Sequence, residues 1–220
     1  MGKIKRIINY LSLEEFLNAI THGIGAVLAI AGLSVLVLQA YFNGGKWHFV
    51  SFLIYGISLV LLYLASTLYH SFKNEKIKGY LKVFDHSAIY LLIAGNYTPF
   101  VLVPLHGTLG WAIFAAVWTM AIVGIVFKLF FAKRFKIIST ICYLAMGWFA
   151  LVMIKPLLNS LPIGAIYWLL LGGAFYTVGS IFYLVKKIPY NHVIWHLFVL
   201  AGSSAHFVAV LGYLLSIKVN

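Results

Sequence analysis

The sequence predicts an all-α membrane protein: a seven-transmembrane helix bundle with a cytoplasmic N-terminus and its C-terminus outside. Three observations predict it, namely the composition, the number of long apolar runs and the side on which the basic residues fall. The chain has 220 residues, of which 63% are hydrophobic and only 9% are charged, whereas a soluble domain carries about 25% charged residues. This composition cannot cover a water-facing surface, so we expect a multi-pass protein of the cell membrane.

Seven apolar runs have the length of membrane spans. Each is near the ~20 residues that a helix needs to cross ~30 Å of hydrocarbon. The runs cover about 19–41, 48–71, 84–104, 108–128, 137–155, 163–185 and 193–216. They predict a seven-helix transmembrane domain over 19–217, preceded by a cytoplasmic N-terminal segment over 1–18.

The basic residues predict the orientation. If the chain crosses the membrane seven times, three of its 16 Lys and Arg residues fall on one side: Lys46, Lys155 and Lys218. The other thirteen fall on the opposite side, with the N-terminus: Lys3, Lys5, Arg6, Lys73, Lys76, Lys78, Lys82, Lys128, Lys133, Arg134, Lys136, Lys186 and Lys187. Cytoplasmic loops of membrane proteins are enriched in Lys and Arg, so this side is predicted to be cytoplasmic. Because the basic residues are spread over short loops, we expect no nucleic-acid partner.

Polar residues gather at the predicted cytoplasmic end. Ser66 and His70 lie four residues apart at the end of the second span, and His192 and His196 have the same spacing at the start of the seventh. Residues at this spacing share a helix face. A histidine pair on one helix, with a third histidine from another helix, supplies the three protein ligands of a typical catalytic zinc site. We therefore predict that His70, His192 and His196 bind zinc.

Asp85 and Ser66 are the predicted catalytic residues of this site. Asp85 begins the third span at the same predicted depth as the histidines. A metal ion lowers the pKa of a bound water, and a nearby carboxylate can take or position its proton. Asp85 could instead orient a ligating histidine, or simply be favoured by the helix dipole at the start of its span.

Two further polar residues lie deeper in the predicted bundle. His206 follows His196 by ten residues, which is about 15 Å along a helix and too far to bind the same ion. Asn96 lies about 16 Å deeper than Asp85. Both could line a polar interior cavity or form hydrogen bonds between helices, and the sequence leaves these alternatives open.

Five segments match a known family in the same order along the chain: Glu15-Phe16-Leu17-Asn18-Ala19-Ile20-Thr21-His22-Gly23, Ser66-Thr67-Leu68-Tyr69-His70, Phe84-Asp85-His86, Tyr97-Thr98-Pro99-Phe100 and His192-x-x-x-His196. On these segments the chain resembles the hemolysin III family, the bacterial members of the progestin and adipoQ receptor family, with the alkaline ceramidases as more distant relatives. The resemblance implies a seven-helix bundle with zinc near the cytoplasmic surface, held at His70, His192 and His196. It also implies that Asp85 and Ser66 hold or approach a water at that zinc.

Three functions are the main candidates for these residues, and ion or solute transport is a weaker fourth, since few polar residues lie in mid-membrane. The site favours a ceramidase-like, zinc-dependent hydrolase that acts on an amide or ester of a membrane lipid. Its expected cofactor is zinc, and its expected partners are membrane lipids, with a lipid substrate in the bundle interior. The alternatives are a non-enzymatic sensor or regulator of membrane lipids with a structural metal, and a cytolytic, pore-forming membrane protein, which the family name implies. The sequence does not indicate an oligomeric state.

Overall fold

The predicted fold class is confirmed by a computed structural model, which describes residues 2–131 and 134–219, apart from the side chains of 2–9 and 11. Met1 and Lys133, which belong to the predicted N-terminal segment and to a predicted basic loop, lie outside the described residues. Within the described ranges the chain is helical, without a strand. Its elements are α1 (Gly2–Asn43), α2 (Lys46–Ser71), α3 (Glu75–Leu102), α4 (Thr108–Phe131), α5 (Lys136–Trp148), a 3₁₀ helix (Phe149–Met153), α6 (Ile154–Ser160), α7 (Ile163–Leu184) and α8 (Asn191–Tyr213).

Two helices begin well before the apolar runs that predicted them. α1 crosses the predicted boundary at residue 18 without a break, so the division into a segment and a domain stays a prediction. α3 begins at Glu75 because the Asn74 side chain accepts hydrogen bonds from the backbone N–H groups of Lys76 and Ile77, at 3.0 and 3.2 Å. Such an N-cap satisfies the free N–H groups of a helix start. An apolar run marks only the part of a helix that lies in hydrocarbon, so it misses these extensions.

The predicted fifth span is not one α-helix, because Phe149–Met153 forms a 3₁₀ helix between α5 and α6. Just before it, in the last turn of α5, the hydroxyl of Tyr97 donates to the backbone carbonyls of Met146 and Gly147, at 2.9 and 2.7 Å. Pro156, in the first turn of α6, has no N–H to continue a helical hydrogen-bond ladder. Backbone groups within a membrane must find partners inside the protein, and here α3 provides them.

α3 is the interior helix of the bundle. It packs against α2, α4, α5 and α8, and every residue over 94–103 is buried. In the described chain six helical stretches have the length and hydropathy of membrane spans, and α3 is the predicted span that is not among them. Protein rather than lipid surrounds α3 over 94–103, so this part can be more polar than the helices that expose side chains such as Val27 and Phe130.

α1 packs against both α2 and α8, so the first and last helices of the chain are neighbours in the bundle. The Tyr10 hydroxyl accepts a hydrogen bond of 2.7 Å from the backbone N–H of Tyr190, and the two rings lie 4.9 Å apart. Tyr190 has a φ of 54°, a left-handed conformation that is uncommon for a residue other than glycine. Tyr10 therefore holds the turn that precedes His192, the first histidine of α8.

Candidate metal site and interior cavity

The structure brings together the three histidines that were predicted as metal ligands. His70 at the end of α2 and His192 and His196 at the start of α8 each offer a nitrogen, and these nitrogens lie within 4.8 Å of one another. The ring centroids are 5.1 Å apart for His70 with each of the other two, and 4.6 Å apart for His192 with His196. This cluster could hold a metal ion.

The tautomer of His70 suits a metal ligand. Its Nδ1 lies 3.1 Å from Oε2 of Glu15, and the same oxygen accepts a 2.8 Å hydrogen bond from Nζ of Lys78. A carboxylate only accepts, so Nδ1 of a neutral His70 carries the proton and Nε2 keeps its lone pair. This Nε2 is buried and has no hydrogen-bond partner among the described residues. A buried nitrogen with a free lone pair is what a metal ligand offers.

His196 is oriented in the same way by α1. Its Nδ1 lies 3.3 Å from the backbone oxygen of Asn18 and 3.2 Å from Oγ1 of Thr21. A carbonyl oxygen only accepts, so Nδ1 carries the proton and Nε2 is left for a metal. The Thr21 hydroxyl in turn lies 2.9 Å from the backbone oxygen of Leu17, to which it can donate. α1 thus sets the tautomers of two of the three histidines.

Asp85 and Ser66 lie beside this cluster. Both are buried, with exposed fractions of 8% and 1%, and both line an interior cavity that His192 and His196 also line. The Ser66 hydroxyl lies near the Asp85 carboxylate. Because Glu15 and α1 already occupy Nδ1 of His70 and His196, the structure does not favour Asp85 as the group that orients those two ligands. Its catalytic role stays a prediction.

The interior cavity extends from the histidines deep into the bundle. Residues of α2, α3, α5, α6, α7 and α8 line it, and most of them are apolar. Asn96 and His206 both line its deeper part. His206 is not part of the metal cluster, as predicted, and its Nε2 lies 3.2 Å from the backbone oxygen of Leu169. Asn96 and His206 therefore both lie along a cavity, and the His206 ring also makes a hydrogen bond between helices.

Comparison with known proteins assigns the chain to a family. A family model described as Haemolysin-III related matches residues 10–207. The chain belongs to this family. The resemblance that its segments indicated is thereby confirmed, and so is its nature as a multi-pass membrane protein.

The haemolysin-III-related chain has similar relatives in bacteria and in animals. It is 54% identical over 200 residues to the Hemolysin-3 homolog of Bacillus subtilis (strain 168), which covers 91% of this chain and 94% of the relative. It is 51% identical over 213 residues to Hemolysin-3 of Bacillus cereus, which covers 97% of each chain. The Monocyte to macrophage differentiation factor of Homo sapiens is 29% identical over 211 residues, covering 91% of this chain and 84% of that protein. No solved structure matches the chain significantly.

Four α1 residues at the site of this haemolysin-III-related protein were not predicted from its motifs to take part: Glu15, Asn18, Thr21 and His22. The ring of His22 stacks on that of His196, with centroids 3.5 Å apart and an angle of 13° between the planes. Glu15, Asn18 and His22 follow the spacing i, i+3, i+7, which places them on one helix face. This polar face on an otherwise apolar first helix is the sequence signal that would have indicated a role for α1, and it was not used.

Proposed function

We propose that this chain is a zinc-dependent hydrolase that acts on an amide or ester of a membrane lipid. One observation carries the proposal: the three-histidine cluster lies at the end of a mainly apolar cavity, beside a buried carboxylate and a buried hydroxyl. Three neutral imidazoles suit zinc, and a catalytic zinc keeps a further position for water or substrate. The orphaned Nε2 of His70 supports the fit of a metal to these residues.

The side chains around the cluster have distinct roles in the proposed reaction. His70 and His196 would hold zinc through Nε2, because α1 engages Nδ1 of each. When bound, zinc supplies a Lewis acid that polarises a carbonyl and lowers the pKa of water. Asp85 would accept a proton from the attacking water, and the nearby Ser66 hydroxyl would help to position the carboxylate. The proton then passes to the leaving amine or alcohol.

The cavity supports a lipid as the substrate. Its walls include Leu92, Phe100, Leu144 and Ile166, which offer an apolar environment to an acyl chain. The acyl chain would lie in this cavity, and its carbonyl would lie at the polar, cytoplasmic end. Holding the amide or ester bond beside Asp85 would lower the entropic cost of bringing that bond and the carboxylate together.

Metal analysis and lipid turnover of purified protein test this proposal. We expect about one zinc per chain in the wild type and strong loss in His192→Ala. His206→Ala, which removes a histidine of the same helix outside the cluster, should keep its zinc. Asp85→Asn should also keep zinc, and it should lose turnover by about a hundredfold or more, because general acid–base catalysis contributes on this scale.

Each negative result has a distinct meaning. Carefully prepared wild type without metal would overturn the metal site. Zinc-loaded wild type that leaves a broad panel of amide- and ester-linked lipids intact would reject the hydrolase and favour a lipid sensor with a structural metal.

Membrane lysis is a second candidate function, suggested by the name Hemolysin-3 of the Bacillus cereus relative at 51% identity. A pore would release dye from liposomes whether or not Asp85 is intact, whereas damage that results from lipid hydrolysis would require Asp85. Dye release that persists in Asp85→Asn would favour a pore. Absence of release by the wild type would exclude lysis as the activity of the purified protein.

A further inference from the structure

Two hydrogen-bond acceptors in the deep part of the cavity are unsatisfied. The backbone oxygen of Leu169 only accepts, so Nε2 of His206 carries a proton and Nδ1 of the neutral ring is an acceptor. His206 Nδ1 and Asn96 Oδ1 are both buried with no hydrogen-bond partner in the part of the chain that the structure describes. Leaving a buried acceptor unpaired is costly, so each such atom in a native protein needs an explanation.

Tyr176 joins the two acceptors into one polar cluster. Its hydroxyl lies 2.8 Å from Oγ of Ser203 and faces the Asn96 side chain. Its ring lies against that of His206, with centroids 5.5 Å apart. Asn96, Tyr176 and His206 all line the cavity. The unsatisfied acceptors thus belong to one wall region, formed by α3, α7 and α8.

The backbone of α7 makes room for the His206 ring. A Cβ atom at Gly172 would collide with Cδ2 and Nε2 of that ring. The absence of a side chain at this position therefore lets an imidazole lie between α7 and α8. Its Nδ1 is left unpaired in the cavity wall.

We propose that Asn96 and His206 form a second polar binding position in the cavity, which takes a hydrogen-bond donor from the middle of a bound lipid chain, most simply a hydroxyl group. A neutral donor fits because both free atoms are neutral acceptors. The inference rests on the proposed function only in taking an acyl chain as the occupant, and it requires no turnover.

The distance between the two polar positions indicates where on the lipid the donor lies. His206 follows His196 on α8 by ten residues, which is about 15 Å along a helix. A fatty acid with its carboxyl group at the histidine cluster would bring the middle of its chain, rather than its end, to Asn96 and His206. Ricinoleic acid and oleic acid differ only by a mid-chain hydroxyl, so they form a matched pair of probes.

The test compares the dissociation constants of these two fatty acids for the purified, zinc-loaded protein in one detergent. We expect the wild type to bind ricinoleic acid roughly tenfold more tightly than oleic acid. One hydrogen bond to a buried acceptor changes a dissociation constant by about this factor. Asn96→Leu should bring the ratio close to one. It should also bind oleic acid at least as tightly as the wild type, because an unsatisfied acceptor has been replaced by an apolar side chain of similar size.

Two further variants distinguish the loss of this polar position from a general disturbance of the cavity. His206→Phe keeps a ring beside Gly172 and should also reduce the preference. Ser180→Ala removes a cavity-lining hydroxyl that is already bonded to the backbone oxygen of Thr177, so it should keep the wild-type ratio.

The outcomes also distinguish this inference from the proposed hydrolase. His192→Ala should weaken both fatty acids and keep their ratio, even if no lipid is ever turned over. A wild-type ratio near one would mean that water alone occupies the acceptors, and it would overturn the inference. So would an unchanged ratio in Asn96→Leu, or the failure of both fatty acids to bind.

Discussion

At the scale of single residues, the site depends on which nitrogen of each histidine carries its proton. Glu15 holds Nδ1 of His70 and is itself held by Lys78, while the backbone of Asn18 holds Nδ1 of His196. Each contact leaves Nε2 free for a metal. Mutation of groups that orient metal ligands in this way typically lowers metal affinity by about 10- to 100-fold.

Glu15 provides the first prediction. Glu15→Gln keeps an oxygen that can accept from His70 but removes the charge, so we expect zinc affinity to fall about tenfold, and up to about a hundredfold in Glu15→Ala. Competition with a chromophoric zinc chelator measures this. Glu14→Gln makes the same charge change one residue away and should leave affinity unaltered. An equal loss in both Gln variants would show that net charge, and not the contact with His70, is responsible.

At the scale of helices, the relative position of α2 and α3 brings Ser66 and Asp85 together. The two helices approach closely at Gly95, where an added Cβ would collide with the Ser58 side chain. Ser58 is buried and donates a 2.7 Å hydrogen bond to the backbone oxygen of Tyr55, so it has little freedom to move. Close helix contacts of this kind are typical of small residues in membrane bundles.

Gly95 and Gly79, on the same helix, should respond in opposite directions to the same change. Gly95→Ala should destabilise the protein by about 1–3 kcal/mol, as overpacking does. A Cβ added at Gly79 would meet no atom of the described residues within 4 Å beyond its own turn of helix. Gly79→Ala should therefore stabilise slightly, by up to about 1 kcal/mol of helix propensity. Thermal unfolding in detergent measures both. If Gly95→Ala is as stable as Gly79→Ala, the contact between α2 and α3 has room for a methyl group at Gly95.

At the scale of the whole molecule, a metal would connect the second helix to the last. His70 lies on α2, and His192 and His196 lie on α8, so the ion would link helices that are far apart in the chain. α1 contacts both of these helices, and its Glu15 and Asn18 contact His70 and His196 at the metal-site end of the bundle. Binding a ligand to the folded state alone stabilises that state by mass action.

Removal of the metal should therefore lower the unfolding temperature. With free zinc at about a thousand times its dissociation constant, the stabilisation would be about 4 kcal/mol. Unfolding monitored with zinc and then with a chelator measures the difference. His192→Ala should show no zinc-dependent shift. A similar shift in the wild type and in this variant would mean that zinc stabilises the protein from another position.

Much of the fold and part of the site could be predicted before the structure. The composition and the distribution of Lys and Arg were enough to predict seven helices and their orientation, because the bilayer imposes length and apolarity on each span. The spacing of Ser66 with His70 and of His192 with His196 placed two helix faces at one depth. The 3₁₀ helix at Phe149–Met153 could not be predicted, because it depends on a hydroxyl of a different helix, that of Tyr97.

The sequence by itself determined which residues lie at which depth, since depth follows from the distance along a helix that crosses a layer of fixed thickness. It therefore placed His70, His192 and His196 near one surface and His206 well below them. Only the tertiary structure decided which helix faces meet. Contacts between helices, rather than periodicity within one helix, bring Glu15 to His70 and Asn18 to His196. They also leave Oδ1 of Asn96 and Nδ1 of His206 without a partner among the described residues, along the same cavity.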